Sequence, residues 1–169
     1  SQEFEELFQQ YIRTSISPSI TYGSALRAMT ELEIVREFVT YPQYFDCTTS
    51  CNKNWRILSK GPPLSLAEPS EAWGRGRGRG FWCGHCPKCA FVFALYAAFL
   101  SEEIVLQIFG KNLFADISLL PLYQELLGVQ GFKPFECVGT PEETREAFSL
   151  AQKRGALNDT LIMKMFADL

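Results

Sequence analysis

Apolar residues recur along this chain with helical rather than strand spacing. In the first segment Phe4, Leu7, Phe8, Tyr11 and Ile12 fall at i, i+3, i+4, i+7 and i+8, which predicts an amphipathic helix over 2–14. Ser17-Pro18-Ser19 ends it, and 20–29 has no clear period. Thr30-Glu31-Leu32-Glu33 has capping-box spacing: the Thr hydroxyl can take the Glu33 N–H while the Glu33 carboxylate reaches back. The helix it opens carries Ile34, Val35 and Phe38 on one face and stops at Tyr41-Pro42. From Lys88 to Leu100 nearly every position is apolar, so a buried helix is predicted rather than a surface one. Ser101 with Glu102 and Glu103 behind it predicts the cap of the next helix, which Gly110 stops. A further helix over 119–127 ends at Gly128. Thr140-Pro141-Glu142-Glu143 is a strong start signal, with a cap, a proline at the first helical position and a glutamate at the third. That helix runs to Arg154 with Gly155 behind it, and a last one spans 158–169.

The remaining stretches are not helical. Residues 45–56 are polar and turn-like, 61–69 are a proline-rich loop, and 73–80 alternate Arg with Gly as a low-complexity linker would. Phe132-Lys133-Pro134-Phe135-Glu136-Cys137-Val138-Gly139 suits either a strand or an ordered loop. The fold class is therefore mainly α, α+β at most. We expect one helical domain over 1–169, made of N-terminal helices (1–46), a cysteine cluster with a buried helix (47–100) and C-terminal helices (101–169).

Composition narrows the picture. The chain is 47% hydrophobic and contains 14 Phe among 169 residues, enough for one domain with an aromatic-rich core. A net charge of −3 argues against a general nucleic-acid binder. No apolar run approaches the roughly 18–20 residues of a membrane helix, and the acidic start Ser1-Gln2-Glu3-Phe4-Glu5-Glu6 is no signal peptide. The missing initiator Met points to a start inside a longer gene product or after processing. Six cysteines in metal-type clusters fit a reducing cytoplasm better than a disulfide framework.

The main chemistry-bearing stretch is Trp82-Cys83-Gly84-His85-Cys86-Pro87-Lys88-Cys89, with two overlapping Cys-x-x-Cys spacings. Thiols two residues apart can turn their sulfurs toward one point, as a tetrahedral zinc site requires. Pro87 suits the first turn of a helix, which places Cys89 where the positive helix end favours its thiolate. Cys83, Cys86 and Cys89 leave a closed site one ligand short. Cys47 or Cys51 can supply the fourth. Cys51, beside Asn52 in a turn-like run, is preferred; His85, between two ligands, would have to fold back. The same spacing also resembles an iron–sulfur ligand run. A closed set of four thiolates leaves no open position, so the predicted role is structural.

Three stretches together carry a family resemblance. Ser50-Cys51-Asn52-Lys53-Asn54-Trp55-Arg56-Ile57, then Trp82 to Phe93, then Lys133-Pro134-Phe135-Glu136-Cys137-Val138-Gly139 resemble, in order, the C-terminal part of the UDP-N-acetylmuramoyl-L-alanyl-L-glutamate epimerases of bacterial peptidoglycan synthesis. The cysteine run alone is also similar to those of 7-cyano-7-deazaguanine synthase and other zinc-holding ATP pyrophosphatases that act on a deazapurine or on tRNA. A non-catalytic interaction domain built around the metal is the third reading. The epimerase resemblance implies an incomplete isomerase, the C-terminal part of a larger α/β enzyme. It implies ATP with Mg2+ as cosubstrate, a UDP-linked muramoyl dipeptide as substrate, and an acyl-adenylate whose Cα–H is acid enough to exchange. The Ser-Gly-Gly-x-Asp-Ser phosphate loop of ATP pyrophosphatases does not occur in this sequence. An ATP-binding half on the same or another chain is therefore an expected partner.

Within this resemblance Cys137 and Glu136 are the candidate catalytic bases. Lys53 and Arg56 are candidates for binding the substrate's carboxylates or phosphates. Lys88 reads as an exposed residue of the metal turn. Arg75, Arg77 and Arg79 read as linker residues, with a diphosphate or RNA contact as the alternative.

Overall fold

The computed structural model describes residues 2–53, 82–155 and 157–169. Among these the regular structure is helical and contains no strand. No helix among them is long and apolar enough to cross a membrane. They form two compact units, Ser1–Thr30 and Glu31–Leu169.

In the first unit, helix α1 (Gln2–Tyr11) continues as a wide π turn over Ile12–Ile16 and ends at Ser17, whose backbone is extended. Phe8 stacks on Phe4, with ring centroids 5.6 Å apart, and meets Tyr22 edge-on at 4.8 Å. Gln9 fastens the returning chain. Its amide donates to the Ile20 carbonyl at 3.2 Å and its side-chain oxygen accepts the Tyr22 N–H. Glu5 pairs with Arg27. The predicted apolar stripe is present, yet Ile12 is its one buried residue; Phe4, Leu7 and Tyr11 are each more than half exposed.

The second unit is organised around α3 (Pro87–Phe99), of which Cys89 to Ala98 are all buried. Helices α2 (Glu31–Phe38), α4 (Glu102–Phe109), α5 (Leu120–Leu126) and α6 (Pro141–Arg154) pack on it, and α7 (Leu161–Ala167) closes against α6. An all-apolar helix can be covered on every side only if its neighbours turn their own apolar stripes inward. Here they do so with rings. Phe93 meets Phe109 and Phe114 edge-on at 5.1 and 4.9 Å, and Phe114 packs on Tyr123 and Phe148 at 5.3 and 4.8 Å. Each ring so buried contributes about 1.5–3 kcal/mol. Tyr123 is fully buried, and its hydroxyl donates to the Ala90 carbonyl at 3.2 Å, so its polar tip is satisfied. Burial pushes its pKa well up.

The predicted helix signals fare unequally. Gly110 ends α4 with φ 73, the left-handed turn for which glycine pays least. Thr140 forms its capping box: its hydroxyl accepts the Glu143 N–H at 3.2 Å, and Glu143 Oε2 accepts the Thr140 N–H at 2.8 Å. Ser101 sits at the N-cap of α4 but its side chain caps nothing. The last helix begins at Leu161, three residues later than the sequence suggests. The stretch 132–139 is an ordered loop, not a strand. Two successive tight turns fold it, Glu136 N–H to the Pro134 carbonyl and Val138 N–H to the Glu136 carbonyl, both 2.8 Å. The 61–69 and Arg–Gly segments lie outside the described residues.

Candidate metal centre

Cys83, Cys86 and Cys89 occupy the approach to α3 and its first turn, while Cys51 comes from the chain that follows a short 3-10 turn, Pro42–Cys47. Gly84 makes the knuckle between the first two cysteines possible. Its φ is 69, and a Cβ there would stand 2.6 Å from the Lys111 side chain. Pro87 opens α3 as the sequence predicts. The four sulfurs lie within 4.8 Å of one another. Cys86 and Cys89 are 3.4 Å apart, Cys83 and Cys89 3.7 Å, and Cys51 and Cys86 4.0 Å. Backbone N–H groups point at them as well, that of Cys83 at Cys51 Sγ and that of His85 at Cys83 Sγ, both at 3.4 Å. Such donors favour thiolate over thiol.

The thiols themselves divide, and Cys89 does not follow the expectation that the helix end favours its thiolate. The hydrogen bond that Cys86 shares with Cys89 holds the Cys86 thiol down at about 4. That shared bond, and then burial, pushes Cys89 up, while burial pushes Cys83 up. A cation at their centre would displace the remaining protons. This donor set fits a single tetrahedral metal ion, and it fits a multi-iron cluster poorly, because such a cluster spreads its thiolates over separate irons.

Cys47 stands apart from the four; it is exposed and its thiol lies 3.3 Å from the Tyr44 carbonyl. His85 is exposed and is not one of the grouped ligands. Lys53 is exposed on the turn after Cys51, and Arg56 lies outside the described residues, as do Arg75, Arg77 and Arg79.

Around the cysteines the three distant sequence stretches meet. Asn52, next to Cys51, donates from its amide to Glu136 Oε2 at 3.0 Å. Lys88, between Cys86 and Cys89, donates from Nζ to the Cys137 carbonyl and sits 5.9 Å from the Phe91 ring centroid. Val138 is buried, and Gly139 lies so close to α3 that a Cβ would be 2.5 Å from Phe91 Cζ. The loop bearing Glu136 and Cys137 is thus held to the cysteine knuckle through Asn52 and Lys88, and to α3 at Phe91. Glu136 is half-buried and Cys137 exposed. Sequence reasoning misses the contacts that Asn52 and Lys88 make with this loop. It makes Lys88 an exposed bystander, whereas the side chain is half-buried and engaged. The available signal is polarity: each is a polar residue directly beside a metal-ligand candidate.

Comparison with known proteins covers the same ground. The family profile described as the MurL C-terminal domain matches residues 47–169. A UDP-N-acetyl-alpha-D-muramoyl-L-alanyl-L-glutamate epimerase of Micromonospora sp. is 40% identical over 147 residues, 87% of this chain and 29% of the relative. Those of Xanthomonas oryzae pv. oryzae and Salinispora tropica are 33% and 39% identical, over 96% and 87% of this chain and 33% and 28% of the relatives. The chain thus spans about a third of the length of the curated relatives it matches. No solved structure matches it.

Proposed function

We propose, because this chain belongs to the MurL C-terminal domain family, that it is the C-terminal part of a cytoplasmic, ATP-dependent epimerase of peptidoglycan precursor synthesis. The substrate is UDP-MurNAc-L-Ala-L-Glu, whose terminal glutamate is converted from L to D. The cysteine site holds structural zinc. For a tetrahedral ion with Zn–S bonds of about 2.3 Å the sulfurs should be roughly 3.8 Å apart; three of the six sulfur pairs lie at 3.4–4.0 Å and all lie within 4.8 Å, which supports such an ion. Zinc here supplies folding free energy and fixes the knuckle, with no open coordination position for substrate.

ATP and Mg2+ belong to the remaining portion of the enzyme, since this sequence has no Ser-Gly-Gly-x-Asp-Ser loop. There the glutamate α-carboxylate attacks the α-phosphorus of ATP, giving the acyl-adenylate and pyrophosphate. The acyl carbonyl no longer carries a full negative charge, so the neighbouring Cα–H becomes acidic. Cys137 or Glu136 takes that proton, the other face is reprotonated, and water releases AMP and the D-centred product. Lys53 and Arg56 would hold the substrate's anionic groups.

The observation that carries this reading is the latch: Asn52 to Glu136, and Lys88 to the Cys137 carbonyl. It holds in place a loop with two side chains able to carry a proton, which supports a role in proton abstraction at a positioned carbon. The experiment supplies ATP and the L-glutamyl nucleotide to this chain, alone and with the complementary portion of the enzyme. AMP release and D-glutamyl product are expected from the pair and neither from the chain alone. A pair that forms no AMP overturns the reading.

A further inference from the structure

The loop that carries Glu136 and Cys137 also carries two phenylalanines that nothing in its own unit covers. Phe132 is 93% exposed and Phe135 108%. They stand three positions apart, and this segment is not a frayed tail. From Pro134 onward its backbone is held by the two tight turns, its Glu136 carboxylate by Asn52, its Cys137 carbonyl by Lys88, and its end by buried Val138. A full Phe side chain offers about 150–250 Å², so two of them form an apolar surface as large as many small domains tolerate. Rigid aromatic side chains projecting from a fixed backbone are the type of group that anchors protein interfaces, because they fill a pocket at little cost in conformational freedom.

We infer that Phe132 and Phe135 are the docking anchors for the portion of the enzyme outside this chain. The inference rests on the reading given under Proposed function. The relatives supply the occupant, since their matched regions make up 28–33% of their length. A projecting loop suits a concave protein surface better than a small planar ligand, which would itself need a cleft to enter. Docking there would bring the other portion of the enzyme against Glu136 and Cys137, where activated substrate has to meet the base. The metal, through the Lys88 and Asn52 contacts, would set the angle at which the anchors are presented.

The test mixes this chain with the portion of the Xanthomonas oryzae relative that lies outside the match, as a separate polypeptide, and measures association by sedimentation velocity. A one-to-one complex is expected. Phe132→Ser and Phe135→Ser should each weaken it at least about tenfold, with metal content and melting temperature unchanged, and Phe135→Trp should retain it. An affinity indifferent to both serine variants overturns the inference, and so does the absence of any complex. Self-association of this chain that the serine variants abolish would assign the anchors to a second copy and overturn it too. A normal complex in which the variants only raise the KM for the nucleotide substrate would assign them to substrate, and the inference would fall in that case as well. Binding is read without turnover: failure of the epimerase reading appears as a complex that makes no AMP, and failure of this inference as turnover that ignores the two phenylalanines.

Discussion

Glu143 holds two backbone N–H groups with one carboxylate. Oε2 accepts that of Thr140, closing the capping box of α6, and Oε1 accepts that of Glu31 at 2.8 Å, at the start of α2. One side chain therefore starts two helices that lie far apart in sequence. Glu143→Ala should cost more than a single cap, about 2–3 kcal/mol, whereas Thr140→Ala should cost about 1 kcal/mol; chemical denaturation of the two variants checks the order. Asp116 makes a comparable argument about pH. It accepts from Ser118 Oγ at 2.6 Å, from the Ser118 N–H at 3.1 Å and from Lys111 Nζ at 2.9 Å. The Ser118 hydroxyl first, and then Lys111, hold its carboxyl down at about 2. Its folded pKa lies below the value of about 3.9 in an unfolded chain, so its stabilisation is present above about pH 4 and is lost as pH falls through about 2. Asp116→Asn should flatten this part of the stability–pH curve, as read by urea midpoints between about pH 5 and 2. The ion pair also steadies Lys111, whose stem lies over Gly84 of the metal knuckle.

At the level of elements, α3 has the four-cysteine cluster at one end and packed rings along the rest. Its apolar run was legible because no surface helix can be apolar on every face; Phe91, Phe93 and Leu95 have no solvent side to turn to. The Thr140 start was legible for a local reason, since cap, proline and glutamate act within four residues. Ser101 misled because a side-chain cap depends on a rotamer, and neither sequence spacing nor composition reports one. The α1 helix was legible from its period, but period identifies an apolar face and not what covers it: Phe4, Leu7 and Tyr11 are each more than half exposed. Metal loss should act on α3 first, because three of the four cysteines sit at its start. Removal by a strong chelator should lower the melting temperature by roughly 10 °C or more. Cys86→Ser should reproduce most of that loss, and Cys47→Ser, remote from the cluster, should leave both melting temperature and metal content unchanged. Calorimetry with metal analysis checks all three.

For the whole molecule, the decisive fact is that the cysteine cluster and the loop bearing Glu136 and Cys137 come from different stretches joined by contacts that sequence spacing cannot reveal. The need for a fourth cysteine beside the Cys83–Cys89 run was legible from tetrahedral ligation, and the preference for Cys51 over Cys47 from its turn-like setting beside Asn52. The placement of Glu136 against Asn52 was not, since 84 residues separate them and neither belongs to a periodic element. Gly139 makes the same point: its need to be small comes from Phe91 on another element. This division predicts how variants of the loop should behave. Cys137 is exposed and its thiol is no part of the cysteine cluster, while its backbone carbonyl, which any residue would retain, makes the contact with Lys88. Cys137→Ala should therefore fold with full metal content and an unchanged melting temperature. If Cys137 is the base, turnover in the complete enzyme should fall by about 100-fold or more, with AMP formation preserved but Cα–H exchange into deuterated water lost. Glu136→Gln keeps a hydrogen-bonding partner for Asn52 and should likewise fold. The base is the residue whose replacement stops exchange while activation continues. Exchange at the wild-type rate in both variants would move proton abstraction out of this loop, leaving it a support for the metal knuckle.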